Sequence, residues 1–362
     1  MSLLAIIAGF LLVLIILWDS FETIVLPRRV TSKFRLARSF YRATWLPWAA
    51  VANRLRPGTR REGFLSVYGP LSMLFLFSTW ASAMVLAFGL LYMGMGSSIA
   101  PSKEGFAFWK DLYFSGTTFF TLGLGDVTPQ TWPARVLTVF EGGIGFGFLA
   151  MVIAYLPVLY EGFSRREINI SMLDARAGSP PTAGELLRRH LDAPGLQSLT
   201  DYLHNWESSA ADLMESHLSY PVLCYYRSQH SNQSWLAALA TVLDGCALLI
   251  AYAEKSIQWQ ARLTFAIARH AIVDLAQVMQ APPVDLDSDR LSPGDLEILQ
   301  DLLSRTGVQV QDAFRCHHEF SELRRMYDPY LRALSDLLLM PLPQWTPREE
   351  RQDNWRTSAW EK

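Results

Sequence analysis

Charged side chains are scarce and nearly balanced in this chain of 362 residues: 18% are Asp, Glu, Lys or Arg, and the formal net charge is −2. Without a surplus of positive charge the chain cannot neutralise a run of phosphates, so no nucleic-acid partner is expected. Cysteine is scarcer still. Cys224, Cys246 and Cys316 all lie in the second half, and an odd, sparse set builds no disulfide framework. They are expected to be buried thiols of a reducing compartment. The second half also lacks alternating strand patterns and any glycine-rich nucleotide loop. Nowhere do a nucleophile, a base and an orienting group fall into a recognisable motif, so no enzyme is expected.

Apolar surface, by contrast, is abundant. Half of the residues are hydrophobic, with 12 Trp and 20 Phe, and they crowd into the first 160 positions. Three stretches, 3–25, 64–93 and 136–160, reach the roughly 20 apolar residues needed to cross a bilayer core. The first lacks the basic start and small-residue cleavage site of a signal peptide, so a retained helix is expected. Ten Lys and Arg lie between the first two spans, from Arg28 to Arg61, and Arg165 and Arg166 follow the third. Ahead of residue 120, the segment between the second and third spans carries only Lys103 and Lys110. The positive-inside rule then predicts a multi-pass protein of the plasma (inner) membrane. Its N-terminus lies outside, residues 96–132 face outward, and the basic loop and C-terminal half are cytoplasmic.

Within the basic loop, Phe34, Tyr41, Trp45 and Trp48 share one helical face and Arg35, Arg38 and Arg42 another, which suits a helix lying in the headgroup layer. A voltage sensor needs arginines inside a spanning segment, and Pro47 and the polar density argue against a span here.

Residues 108–120 read as a helix too short to cross, and irregular backbone follows. Such backbone is tolerated at membrane depth only where it lines a water-filled path, and the partial negative charge at the end of a short helix favours a cation there. The next residues are Thr121-Leu122-Gly123-Leu124-Gly125-Asp126. To replace an ion's water shell, successive carbonyls must point to one axis. An extended strand alternates them, so left-handed backbone is needed at alternate residues, which glycine adopts without a Cβ penalty. Thr121 can add its hydroxyl as the innermost ligand, and Asp126 places a carboxylate just outside the mouth, where it concentrates cations and braces the loop. A bare glycine-rich turn between membrane helices accounts for neither the short helix nor Asp126. One such segment cannot surround an ion; four copies about an axis can, so a C4 homotetramer is expected.

Tyr113-Phe114-Ser115, Thr118, Thr121 to Asp126, Pro129 and Arg135, in this order and spacing, resemble the pore of two-transmembrane, Ion_trans_2-type bacterial potassium channels. The resemblance covers roughly residues 65–160. It implies an outer helix, a pore helix, a selectivity filter and an inner helix, with potassium held by Thr121, Leu122, Gly123 and Leu124 and no other cofactor. It also implies filter support from Tyr113 and Phe114, and it places the inner-helix hinge glycine at Gly145. Two departures stand out. Leu124 replaces the usual Tyr or Phe that packs against the pore-helix aromatics, and Leu122 replaces Val or Ile. Related two-pore-domain channels carry Leu at the first of these places in some filters. Phe120 stands where a small Thr is usual, and its extra volume is a candidate to compensate for the lost ring.

The run Glu141-Gly142-Gly143-Ile144-Gly145-Phe146-Gly147 has no strand before it and sits in an apolar span, so it is no dinucleotide fingerprint. Its glycines can thin the helix for close packing or let it bend at a gate, with Gly145 the expected hinge and Gly142 and Gly143 its neighbours. Glu141 inside a span is a functional candidate. It is either a buried brace, hydrogen-bonded behind the filter or paired with Arg135, or a carboxylate facing the cavity.

Beyond residue 162 the periodicity predicts amphipathic helices near 183–191, 195–218, 233–256, 259–280 and 293–313. A capping box of Thr182 with Glu185 and the start Ser292-Pro293-Gly294-Asp295 support two of them. An all-α bundle is expected, unlike a Rossmann-type regulator or a cyclic-nucleotide β-roll. Residues 235–253 are apolar enough for a fourth span, but Asp244 near their centre favours a core helix. Asp285, Asp287 and Asp289 suggest a calcium loop, yet Arg290 and Leu296 occupy positions that need Gly and Glu. Cys316, His317 and His318 make a poor zinc set.

The expected architecture is an all-α membrane protein in five parts. A transmembrane helix (1–27) and a basic interfacial segment (28–63) precede a potassium-channel pore domain (64–162), which leads into a cytoplasmic helical bundle (163–340) and a disordered tail (341–362). The tail's Trp345, Trp355 and Trp360 are candidates to dock on a partner or the membrane. The expected function is passive potassium transport, gated at the inner helix by the cytoplasmic part, with an unidentified cytoplasmic ligand or protein left open as a partner. A weakly selective cation channel and a non-conducting membrane-anchored scaffold are the alternatives.

Overall fold

The computed structural model describes residues 2–26, 36–96, 99–100, 107–190, 195–230, 232–253, 255–284, 289–304, 313–347 and 353–356. Arg28, Arg29, Lys33, Phe34, Arg35, Lys103, Asp285, Asp287 and Trp360 lie outside the described residues. The protein is an all-α membrane protein. Its described residues are mostly helical, with one short antiparallel pair, β1 (Ile99–Ala100) against β2 (Thr128–Pro129), in the register Ile99 to Pro129. The chain divides into two compact units, residues 1–50 with 70–160, and residues 51–69 with 161–362.

The first unit is built from α1 (Ser2–Ser20), α2 (Leu36–Ala52), α3 (Thr59–Gly94), α4 (Ala107–Phe119) and α5 (Trp132–Ala177). Helices α3 and α5 also contribute residues to the second unit. Helices α1, α3 and α5 are each long and apolar enough to cross a membrane. Leu3, Leu4, Phe10, Leu11 and Trp18 of α1 are exposed, as lipid-facing side chains are, while Val13 and Ile16 are buried. Gly9 lets α1 close on α3: a Cβ there would lie 2.7 Å from the Ala87 carbonyl oxygen. At the far end of α1, the buried Asp19 accepts hydrogen bonds from Trp80 Nε1 at 2.9 Å and from the Ala37 amide at 3.3 Å. A carboxyl in an apolar surrounding needs such partners, and here they join α1, α2 and α3. The first helix is thus packed on α3 and is no loose anchor.

Helix α2 contains Pro47 without ending there. Its aromatic face, expected to lie among headgroups, turns in part onto protein. Trp45 is buried, Tyr41 and Trp48 are half-buried, and the Phe40 ring lies 5.2 Å from that of Phe75. The division into units also cuts the expected basic segment 28–63: most of α2, through Ala50, groups with the first unit, and residues 51–69 with the second. Helix α5 does not stop near 162 but continues to Ala177.

The second unit adds α6 (Ala183–His190), α7 (Gly195–Ser219), α8 (Trp235–Tyr252), α9 (Lys255–Val278), α10 (Pro293–Ser304), α11 (Ala313–Arg325) and α12 (Asp328–Leu338). The predicted caps are formed: Thr182 Oγ1 accepts the Glu185 amide at 3.2 Å, and Ser292 Oγ accepts the Asp295 amide at 3.1 Å. Helix α8 is buried along its whole length and packs against α6, α9 and α11. It is the core helix of this unit, although its length and composition alone would let it cross a membrane. Its Asp244 is satisfied by protein: Arg290 Nη2 donates at 2.8 Å and the Tyr327 hydroxyl at 2.6 Å. Arg290 Nε also donates to the buried Asp328 at 2.8 Å. Asp289, placed in a calcium loop by its spacing, instead pairs with Arg324. Among the described residues no group of His, Cys, Asp and Glu is arranged to hold a metal ion. Cys224 and Cys246 are buried and Cys316 half-buried, and burial pushes the Cys224 thiol up to about 12.

The expected disordered tail is the clearest correction. Trp345 is fully buried, and its carbonyl accepts the Gly184 amide at 2.8 Å. Further on, Asp174 of α5 accepts the Trp355 amide at 3.0 Å. Polar, proline-containing composition signals disorder only while no apolar groove is ready to take the tryptophan. Here residues far back in the chain make that groove. Trp345→Ala is therefore expected to destabilise the second unit by about 3–5 kcal/mol. Chemical denaturation of the detergent-solubilised full chain checks this, a dispensable tail leaving the midpoint unmoved.

Candidate functional site

Helix α4 is seated against α3 at two places. A Cβ at Gly89 of α3 would lie 3.3 Å from Leu112 Cα, and Ser115 Oγ donates to the Val85 carbonyl at 2.9 Å. Near its start, Lys110 Nζ donates to the Ile99 carbonyl at 2.7 Å. The helix ends at Phe119, and the next residues hang from its last turn by their amides. Thr121 donates to the Thr118 carbonyl at 3.0 Å, while Leu122 at 2.7 Å and Gly123 at 3.3 Å both donate to Thr117. Among the described residues, no backbone bond is accepted by the carbonyls of 121–125.

The backbone of this loop takes left-handed values at alternate residues: φ is +58° at Thr121, +53° at Gly123 and +79° at Gly125. Glycine adopts such values freely and threonine does so at a cost. Thr121 pays that cost where its neighbours' amides are already held by Thr117. Within one chain Thr121, Leu122, Gly123, Leu124, Gly125 and Asp126 are all exposed. Beyond them, the Tyr113 hydroxyl donates to Asp126 Oδ2 at 2.9 Å, pinning the loop to α4. Arg135 Nε donates to the Pro129 carbonyl at 3.3 Å, which ties the start of α5 to β2.

Behind the loop lies Glu141, fully buried. The Tyr92 hydroxyl of α3 donates to its Oε2 at 2.8 Å, and Ser115 Oγ of α4 contacts its Oε1. Tyr92 also approaches Thr138 Oγ1 at 3.2 Å and sets its ring edge-on to Phe114, centroids 5.1 Å apart. Glu141 thus has Tyr92 and Ser115 as its partners, while Arg135 Nε donates to Pro129. Sequence reasoning gave no role to Tyr92 or Ser115. The available signal was the carboxyl itself, which obliges the neighbouring spans to present hydroxyls; which hydroxyls is a long-range matter.

Gly145 has a steric reason to be glycine. A Cβ there would lie 2.0 Å from the Phe119 carbonyl oxygen, so α5 meets the end of α4 backbone to backbone. A Cβ at Gly142, Gly143 or Gly147 would meet nothing within 4 Å in the same chain. Helix α5 runs unbroken through all four. Phe120 is 58% exposed, with its ring edge-on to Phe119 at 5.4 Å.

Residues 72–160 match the family model described as "Ion channel", and this stretch is an ion channel domain. The uncharacterized membrane protein YdjJ of Bacillus subtilis (strain 168) is 29% identical over 192 residues, 52% of this chain and 54% of that protein. The chain thus spans about half the length of the curated relative it matches. No solved structure matches.

The crowding at Gly145 makes Gly145→Ala an overpacking change, expected to cost about 1–3 kcal/mol. Removing the hydroxyl in Tyr92→Phe strips Glu141 of a donor and is expected to cost about 1–3 kcal/mol. Denaturation midpoints of the purified protein in one detergent check both, with Leu4→Val, at an exposed position of α1, as the neutral control.

Proposed function

We propose that this membrane protein, with its ion channel domain at residues 72–160, is a potassium-selective channel that assembles as a C4 homotetramer and transports passively. The observation that carries the reading is the loop 121–125. Its alternate left-handed residues, its amides turned to Thr117 and its carbonyls free of backbone bonds among the described residues suit coordination of a dehydrated cation. Thr121, Leu122, Gly123 and Leu124 hold the ions. Asp126, fixed by Tyr113, concentrates cations at the mouth. Phe114, Arg135 and the Glu141–Tyr92–Ser115 group keep the loop in place.

Assembly follows from the same geometry. One loop cannot enclose an ion, and α5 leaves Val136, Val139, Phe146, Leu149 and Ile153 exposed within a single chain, a surface for lipid and for neighbouring copies. Charge distribution supports an outside N-terminus and a cytoplasmic second unit. Gating acts on α5, with Gly142 and Gly143, unencumbered in the chain, as the points that bend and Gly145 as the close contact to α4.

A weakly selective cation channel is the second reading. Leu122 and Leu124 supply neither ring nor hydroxyl. Reversal potentials in planar bilayers, with potassium on one side and sodium on the other, decide between the two. A potassium-selective pore follows the potassium gradient, and a reversal near zero overturns strict preference. No current from intact tetramers overturns conduction itself. Because Glu141 lies buried behind the loop, Glu141→Gln is expected to leave the single-channel current unchanged in folded tetramers; a reduced current would return the carboxylate to the cavity.

A further inference from the structure

Between α7 and α8 the chain makes a short 3-10 turn, Pro221–Tyr225, followed by Tyr226 and Arg227. All the residues that meet it below belong to the second unit. The turn grips α3 first. Tyr226 lies so close over Gly69 that a Cβ there would be 2.6 Å from its Cδ2. The Tyr225 ring meets that of Tyr68 edge-on at 5.1 Å, and Arg227 Nη1 lies 3.5 Å from Glu62.

The same few residues grip α5. A Cβ at Gly162 would lie 3.2 Å from Leu223 Cδ1, and the Phe163 ring is 5.7 Å from that of Tyr226. Arg166, whose side chain is 1% exposed, donates through Nη1 to the Leu223 carbonyl at 3.0 Å and through Nη2 to the Tyr226 carbonyl at 3.1 Å. Its neighbour Glu167 accepts from Ser228 Oγ and from the Gln229 amide, each at 3.1 Å. A guanidinium so deeply buried holds its place only while every partner stays in position. Each long helix therefore presents a glycine where the turn docks, and Tyr226 touches both helices at once.

We propose that this turn is a latch that ties the ends of α3 and α5 together and keeps the gate shut until it is released. The proposal rests on the reading of the protein as a gated channel. When α5 bends at Gly142 and Gly143 its end must shift against α3, and that shift is opposed by one side chain wedged against both helices and by two carbonyls fixed to a buried arginine. A ligand or partner that opens the channel acts, on this view, by displacing the 221–227 segment.

The test uses the full chain with Tyr226→Ala, and Tyr226→Phe as the conservative variant that keeps the ring. Hydrogen exchange is measured on the purified protein. Tyr226→Ala is expected to speed amide exchange in residues 59–69 and 161–170 together, with Tyr226→Phe like the wild type. In bilayers Tyr226→Ala raises open probability at least about fivefold, with unitary current and reversal potential unchanged. Gly69→Ala, which crowds the same ring, does likewise and guards against misfolding of the first variant. Faster exchange at one helix end alone, or at neither, overturns the latch, as does an open probability that is unchanged or lowered. If the wild-type protein carries no current, the proposed function fails while the exchange experiment still decides whether the turn couples the two helices.

Discussion

A carboxyl enclosed by apolar helices has no water to turn to, and Glu141 resolves this by drawing a hydroxyl from each of two other helices. Such a group costs about 2.5–3.5 kcal/mol at the centre of a bilayer when it is left without partners, so the three helices that satisfy it are bound to a common arrangement. Tyr92 cannot reach Glu141 unless α3 lies against α5, and Ser115 cannot unless α4 is wedged between. Once α4 is fixed, the loop hanging from Thr117 is fixed too. Gly145 completes the constraint from the other side by letting the α5 backbone touch the end of α4. The geometry of the exposed loop is thus inherited from a polar contact that the loop itself does not share.

The second unit repeats the device. Asp244 sits at the middle of the fully buried α8 and takes Arg290 and Tyr327 as partners, and Arg290 in turn reaches Asp328. Here the polar group selects which segments cover an otherwise featureless apolar helix. Hydrophobic burial alone would let α8 rotate or slide among its neighbours; a buried ion pair with several hydrogen bonds gives one orientation a decisive advantage.

The pore region was the more legible part of the chain because its signals are local. The length of apolar runs announced α1, α3 and α5, the shortness of 108–120 announced α4, and the Thr-x-Gly-x-Gly spacing announced the alternation of backbone hand at 121, 123 and 125. Caps at Thr182 and Ser292 were legible for the same reason, each resting on a bond across three residues. What escaped were contacts between positions far apart in sequence. Nothing near Glu141 names Tyr92, and nothing near Gly69 names Tyr226. The continuity of α5 to Ala177 was not legible, because its apolar run ends near residue 160 and its polar continuation gives no signal of belonging to the same helix. The described part of the tail was misjudged because its composition is that of a linker while one of its tryptophans, Trp345, fits a distant groove.

That groove bears on how the protein is made. Gly184 and Trp345 are joined by a backbone hydrogen bond, and the tryptophan ring also meets Phe320 edge-on at 5.6 Å. Domains generally fold as units during synthesis, but this one cannot close its core until residue 345 has left the ribosome. By then the three apolar spans have long been translated. Translation of the apolar spans and completion of the second unit are therefore separated in time, the latter waiting on residue 345.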